Sequence, residues 1–134
     1  YLSARNRTTL LLLLDSLLSN GEARYDYSTI SVEHVLPQSP KAKSQWLTWF
    51  SNKKQRENVL HKLGNLALLT KRKNSEASNY DFETKKEKYF QSANGVSTFA
   101  LTTQVLCHDE WTLDTFQLRH AQLVNCLATH WELN

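Results

Sequence analysis

The sequence predicts an α+β domain that is mostly helical and holds one two-stranded antiparallel hairpin. Residues 2–19 and 113–131 place apolar side chains at helical spacing, whereas residues 29–35 and 66–70 are short apolar runs of strand length. A Leu-Gly-Asn turn at 63–65 comes directly before the second run, which suits the start of a hairpin strand.

Length and composition indicate one domain, 1–134, with a single core. The chain has 134 residues, of which 40% are hydrophobic, and these values exclude a disordered tail. Its longest apolar run is far too short to span a membrane. Cys107 and Cys126 do not make a disulfide framework, so we expect free thiols and a cytoplasmic location. The chain begins at Tyr1 rather than Met, which suggests a fragment of a larger protein.

Positive charge is concentrated in the middle of the chain. Residues 41–91 hold 12 of the 16 Lys and Arg residues but 5 of the 13 Asp and Glu residues. A basic segment between acidic flanks suggests that one face meets a polyanion. On charge alone, an ordinary solvated lysine surface explains this segment equally well.

The first half of the chain is expected to contain two helical regions around one strand. The Leu-rich helix at 2–19 ends before Asn20-Gly21, and the polar connector 22–28 leads to the strand at 29–35. On that strand His34 shares a face with Ile30 and Val32, and Pro37 ends the strand because it has no N–H to donate.

Two short helices are expected to precede the second strand. Ser44 is placed to cap the first of them, whose aromatic residues between 46 and 50 have the spacing of core positions. Residues 52–62 form the second short helix. The turn at 63–65 then uses Gly64 and Asn65, two residues that tolerate a positive φ.

Helices dominate the remainder of the chain. One runs through Asn74 to about residue 79, and a basic helix follows at 82–91. The sequence leaves open whether 97–106 is helical or extended. Thr112 is expected to cap a final helix of about five turns, whose apolar face comprises Phe116, Leu123, Val124, Leu127 and Trp131.

The predicted strand–turn–strand–helix order brings together four polar residues, Glu33, His34, Asn65 and Asn74. The run Glu-His-Val-Leu-Pro-Gln at 33–38, and the nine residues from Asn65 to Asn74, resemble the HNH nuclease family with its ββα-metal motif. Together with Leu-Gly-Asn-Leu-Ala-Leu-Leu at 63–69, they look like the C-terminal nuclease domain of GmrSD-type restriction enzymes. The likeness covers most of the chain, with 29–79 as the ββα-metal core and helical flanks at 1–20 and 97–134.

The resemblance implies a metal-dependent endonuclease that hydrolyses DNA, in restriction or phage defence. His34 would be the general base, Glu33 and Asn74 would hold one Mg²⁺ or Mn²⁺ ion, and Asn65 would brace the loop around His34. In the family, a distorted strand end brings the residues equivalent to Glu33 and His34 to one centre. Many members have His where this chain has Asn74, and an amide oxygen favours a hard cation.

The resemblance also implies partners. DNA would lie along basic and polar residues near the metal helix, with an N-terminal nucleotide-dependent domain elsewhere in the full-length protein and a dimer for double-strand cleavage. The expected nucleic-acid contacts are Lys71, Arg72, Lys73, Asn79, Lys85 and Lys86. A capping or surface role explains Asn79 equally well.

Two other interpretations of the chain compete with this one, and two residue pairings or roles have alternatives of their own. The chain could be a catalytically inactive nucleic-acid-binding module with the same fold, or a helical interaction domain without any hairpin. Cys126 and His130, four apart on a helix, could form half of a zinc site, although core packing explains them better. His61 could contact phosphate, although an exposed helix residue is the simpler interpretation.

Overall fold

The computed structural model describes residues 4–19, 30–70, 80–87 and 99–132. The elements are, in chain order, α1 Ala4–Leu18, β1 Ile30–His34, α2 Gln45–Trp49, α3 Lys53–Leu60, β2 Leu66–Thr70, α4 Phe82–Lys85, α5 Ala100–Leu106 and α6 Leu113–Glu132. A single 3₁₀ turn, Leu63–Asn65, leads into β2. The predicted α+β, mostly helical fold class is confirmed.

The predicted hairpin is confirmed as well. β1 and β2 pair antiparallel with Ile30 opposite Thr70, Glu33 opposite Ala67, and His34 opposite Leu66. This pairing excludes the interpretation of the chain as a helical domain without a hairpin.

The hairpin lies between two groups of buried side chains. On one face Ala67 and Leu69 pack with the aromatic residues of the first group, Trp46, Phe50, Phe82, Trp111 and Phe116. On the other face Ile30, Leu66 and Leu68 pack with Leu11 and Leu14 of α1, Leu101 of α5, and Leu123 and Leu127 of α6. Burial on both faces explains why β2 is a continuous apolar run rather than an alternating one.

Two of the described helices, α3 and α6, begin at a side-chain cap, whereas α2, α4 and α5 do not. Asn52 caps α3 by accepting a hydrogen bond from the Gln55 N–H at 3.1 Å, and Thr112 accepts one from the Thr115 N–H at 3.4 Å before α6. Ser44 precedes α2 in extended conformation, but its side chain makes no capping hydrogen bond. Within the undecided segment 97–106, residues 100–106 are helical and form α5.

Two predictions about local structure were wrong. Val124 and Trp131 on α6 are 46% and 56% exposed, and the buried face of the helix includes Arg119 instead. The Leu63–Asn65 turn does not use a positive φ, since Lys43 is the non-glycine residue with that conformation in the described ranges and Gly64 does not adopt it.

Several sequence predictions fall outside the described residues. These are the connector 22–28, the helix expected at 74–79, and the basic helix beyond residue 87. Within the described ranges both cysteines are free thiols, and none of the helices there has the length and apolarity that crossing a membrane requires.

Arg119 joins three elements through backbone carbonyls. Its guanidinium, 2% exposed, donates to the oxygens of Gly64 at 3.0 Å, Leu66 at 2.8 Å and Leu101 at 2.9 Å. Burial lowers the pKa of Arg119, although a guanidinium of this kind stays protonated at neutral pH. One side chain of α6 therefore holds the turn before β2 and the helix α5.

Replacing Arg119 by Met should remove a buried hydrogen-bond donor from all three carbonyls. We expect Arg119→Met to lower the free energy of unfolding by about 3–5 kcal/mol, the range for breaking a buried polar network. Urea denaturation measures this loss, with Leu118→Ala as the control because Leu118 is 58% exposed on the same helix. Equal stability of the two variants would contradict the structural role of Arg119.

Candidate active site

The site is built around Asn65, the last residue of the turn before β2. Its fully buried amide accepts from the Leu36 N–H at 2.8 Å and donates to the carbonyls of Leu36 at 3.1 Å and Leu60 at 3.0 Å. The indole N–H of Trp111 donates to the same amide oxygen at 3.2 Å. The backbone carbonyl of Asn65 also accepts from the Val35 N–H at 2.9 Å. Asn65 thus holds the chain immediately after His34 in one conformation.

Gly64 allows helix α6 to pack directly against this turn. A Cβ atom at Gly64 would lie 2.5 Å from the Cβ of His120 and 2.8 Å from its Cα, which no real side chain tolerates. The Gly64 N–H donates to Nδ1 of His120 at 3.1 Å. The glycine is therefore required for close approach of two backbones rather than for turn conformation.

His34 lies at the end of β1 beside a second histidine. Its Nε2 is 3.0 Å from Nδ1 of His61, and the two rings meet edge to face. Burial, together with the nearby His61, Arg7 and Lys85, lowers the pKa of His34 to about 4. The imidazole is therefore neutral at pH 7, which is the form that accepts a proton.

Glu33 is buried, and the ammonium of Lys85 lies beside its carboxylate. Its Oε1 accepts from the His34 N–H at 2.7 Å and lies 3.8 Å from Nζ of Lys85. Burial raises the pKa of Glu33, and the positive charge of Lys85 acts in the opposite direction. The second oxygen, Oε2, is buried and has no hydrogen-bond partner among the residues that the structure describes.

Lys85 of α4 connects this carboxylate to the strand end. It is fully buried, and its ammonium donates to the carbonyls of His34 at 2.8 Å and Val35 at 3.2 Å. Burial lowers the pKa of Lys85 to about 8. Through its two hydrogen bonds, the ammonium fixes the same backbone segment that Asn65 holds from the other side.

Glu33 and His34 do not share a face of the strand. Regular pairing continues through His34, so that Glu33 extends toward Lys85 of α4 and His34 extends toward His61 at the end of α3. The Glu33 carboxylate nonetheless lies close enough to the strand for its Oε1 to accept a hydrogen bond from the His34 N–H. Glu33 is therefore linked to the backbone of His34 rather than to its ring.

An open cleft of about 610 Å³ lies beside His34. Arg7, His61, Lys62 and His120 contribute nitrogen-bearing side chains to its wall, and Leu66, the cross-strand neighbour of His34, contributes an apolar part. Arg7 comes from α1, His61 and Lys62 follow α3, and His120 belongs to α6. The cleft therefore opens onto His61, whose ring contacts His34.

Lys85 and Lys86 are the two predicted nucleic-acid contacts that the structure describes, and neither lies where that prediction put it. Lys85 is wholly inside the protein, so no phosphate can reach its ammonium without unpacking α4. Lys86 is tied to the His108 carbonyl at 2.8 Å and to Glu83 at 3.3 Å, and its side chain is 11% exposed. Lys71, Arg72, Lys73 and Asn79 lie outside the described residues.

Of the two predicted metal ligands, Glu33 and Asn74, the structure describes Glu33. Asn74, the expected second ligand, lies outside the described residues, and within the described ranges no cluster of three or more His, Cys, Asp or Glu side chains is poised for a metal. Cys126 and His130 accordingly gain no third ligand there. Among the described residues, Glu33 offers a buried carboxylate oxygen that has no hydrogen-bond partner.

Sequence analysis missed the parts of the site that come from distant segments. Nothing local marks Arg7 as a neighbour of His61, and Lys85 looked like one of several surface lysines. Its position three residues after the buried Phe82 was the one available signal, since that spacing puts both on one helical face.

The chain matches a known protein family over most of its length. A family model described as the C-terminal domain of GmrSD restriction endonucleases matches residues 1–126. No curated protein matches the chain.

Removal of the Asn65 side chain should cost far more than removal of a capping asparagine. Asn65→Ala leaves the Leu36 and Leu60 backbone groups and the Trp111 indole without their partner, so we expect a loss of at least about 2 kcal/mol in unfolding free energy. Asn52→Ala, at an exposed helix cap, should cost about 1 kcal/mol. Urea denaturation compares the two, and similar losses would show that the Asn65 network is not structural.

His120 should make stability depend on pH. Burial, with Lys62 nearby, lowers the pKa of His120, so the unfolded chain binds a proton on this residue at a higher pH than the folded protein does. The free energy of unfolding should therefore fall as the pH drops from about 7 to about 5, below the ordinary histidine pKa. In His120→Asn, which keeps an acceptor for Gly64, this decrease should be smaller. An identical pH dependence in both proteins, measured by urea denaturation, would contradict the assignment.

Proposed function

This chain belongs to the family of the C-terminal domains of GmrSD restriction endonucleases, and from that premise we propose that it is an HNH-type DNA endonuclease domain. The observation that carries the proposal is the strand end, where the Asn65 network fixes the backbone that follows His34. A fixed histidine beside an open cleft is what hydrolysis of a bound phosphodiester requires.

His34 is proposed as the general base. In the reaction, a water oxygen bonds to phosphorus while His34 takes the proton of that water and the bond from phosphorus to the leaving oxygen breaks. Its neutral ring is ready for this role at pH 7. Arg7 and Lys62 in the cleft wall supply positive charge for the phosphate backbone, in place of Lys85 and Lys86.

The proposal includes one divalent cation, Mg²⁺ or Mn²⁺, held by Glu33 and Asn74. The buried, unpartnered Oε2 of Glu33 fits this role because it is a hard oxygen ligand left without a hydrogen bond. When bound, such an ion neutralises charge on the phosphate and the leaving oxygen. Oε1 is already committed to the His34 N–H, so Oε2 is the oxygen available for coordination.

Family membership also supports a biological setting. We propose that the domain acts on DNA in restriction of foreign DNA, inside the cytoplasm, together with an N-terminal nucleotide-dependent domain. A single site of this kind cuts one strand, so double-strand cleavage would need two copies of the domain or two successive events.

One observation favours a second candidate, an inactive nucleic-acid-binding module. The ammonium of Lys85 lies 3.8 Å from the Glu33 carboxylate. It already balances the negative charge that a metal ion would otherwise neutralise. A module of this kind would bind DNA through the cleft and leave it intact.

Plasmid nicking separates the two candidates. With Mg²⁺ or Mn²⁺ the protein should convert supercoiled DNA to the open circular form, and EDTA should prevent this. His34→Ala should lower the rate by about 10²–10⁴-fold, the usual contribution of a general base, while DNA binding is retained. His130→Ala, at the far end of α6, is the matched histidine control.

Two outcomes would overturn parts of this proposal. Equal nicking by the native protein and His34→Ala would refute His34 as the base. DNA binding without nicking under any metal condition would establish the inactive module instead.

A further inference from the structure

Three side chains from three separate parts of the chain form one line of contacts, and two of them, Arg7 and His61, lie in the cleft wall. Arg7 comes from α1, His61 from the residue after α3, and His34 from the end of β1. Nη1 of Arg7 is 3.3 Å from Nδ1 of His61, and the same Nδ1 is 3.0 Å from Nε2 of His34. Both contacts converge on one ring nitrogen.

The chemistry of Arg7 determines which atoms donate. A guanidinium has only N–H donors, so Nδ1 of His61 must accept the hydrogen bond from Arg7 and cannot carry a proton. The other neighbour of that nitrogen, Nε2 of His34, must then donate to it. In the neutral His34 ring the proton lies on Nε2, and Nδ1 keeps its lone pair.

We propose that His61 is a positioning residue, which receives the Nε2–H of His34 and thereby leaves Nδ1 of His34 as the nitrogen that takes the proton from water. Its kinetic consequence rests on the proposed nuclease function, whereas the tautomer assignment does not. Neither role needs His61 to touch the phosphate.

The backbone around His61 suits this task. The His61 N–H itself is held by the Val59 carbonyl, and the adjacent turn is held by Asn65 through the Leu60 carbonyl. The ring therefore starts from an ordered backbone even though His61 is exposed. Exposure also means that replacing it should leave the core intact.

The first test reads the ring nitrogens directly. In long-range ¹H–¹⁵N spectra of the metal-free protein at pH 7, both His34 and His61 should be neutral Nε2–H tautomers. In Arg7→Met and His61→Ala, the His34 ring should lose this fixed state, with averaged nitrogen shifts. A proton on Nδ1 of either ring in the native protein, or an unchanged His34 spectrum in both variants, would overturn the proposal.

The second test uses plasmid nicking with saturating Mg²⁺. His61→Ala should lower kcat by about 10- to 100-fold with little change in KM, because a misplaced base lowers the rate without weakening binding. His61→Asn places an acceptor oxygen near the former Nδ1 and should restore kcat to within a few-fold of the native value. His130→Ala again serves as the histidine control.

The kinetic outcomes are distinguishable from failure of the nuclease assignment. A kcat for His61→Ala equal to that of the native protein, or a loss that appears in KM alone, would refute the positioning role. No rescue by His61→Asn would refute it as well. If the native protein does not nick DNA at all, the proposed function fails while the ring-nitrogen spectra still decide the assignment of the histidine pair.

Discussion

The amide of Asn65 is the interaction on which the rest of the site depends. It closes hydrogen bonds to the residue after the first strand, to the end of α3, and to the indole of Trp111. All of these groups are buried, so each would otherwise lose its hydrogen bonds to water without replacement. Because a single side chain satisfies them together, the positions of β1, α3 and the segment before α6 are coupled.

The final helix stabilises the same turn from behind. Gly64 lets the backbone of α6 approach to van der Waals distance, and Arg119 then reaches the carbonyls on both sides of Asn65. A larger residue at 64 would separate the helix from the turn and take the guanidinium away from its acceptors. Close packing and polar satisfaction therefore depend on each other here.

Charge is arranged inside the domain as well as on its surface. Lys85 lies buried between Glu33 and the carbonyls of His34 and Val35, where a cation is stabilised by both kinds of partner. Among the described residues, the lysine and arginine that line the open cleft are Lys62 and Arg7 instead. A basic stretch of sequence thus divides into internal and external charges, and only the external ones are free to attract a polyanion.

Sequence alone determined the hairpin, its register-setting apolar pattern, the capped final helix, and the identities of Glu33, His34 and Asn65 as the residues to examine. These rest on local periodicity, turn chemistry and spacing, which act over a few residues. Tertiary structure decided that Lys85 is buried, that Val124 and Trp131 are exposed, and that Gly64 serves packing instead of turn conformation. It alone brought Arg7 to His61, 54 residues apart in sequence, and His61 to His34, 27 residues apart. Contacts of this kind depend on how helices pack around the hairpin, and no local pattern in the chain encodes the resulting distances.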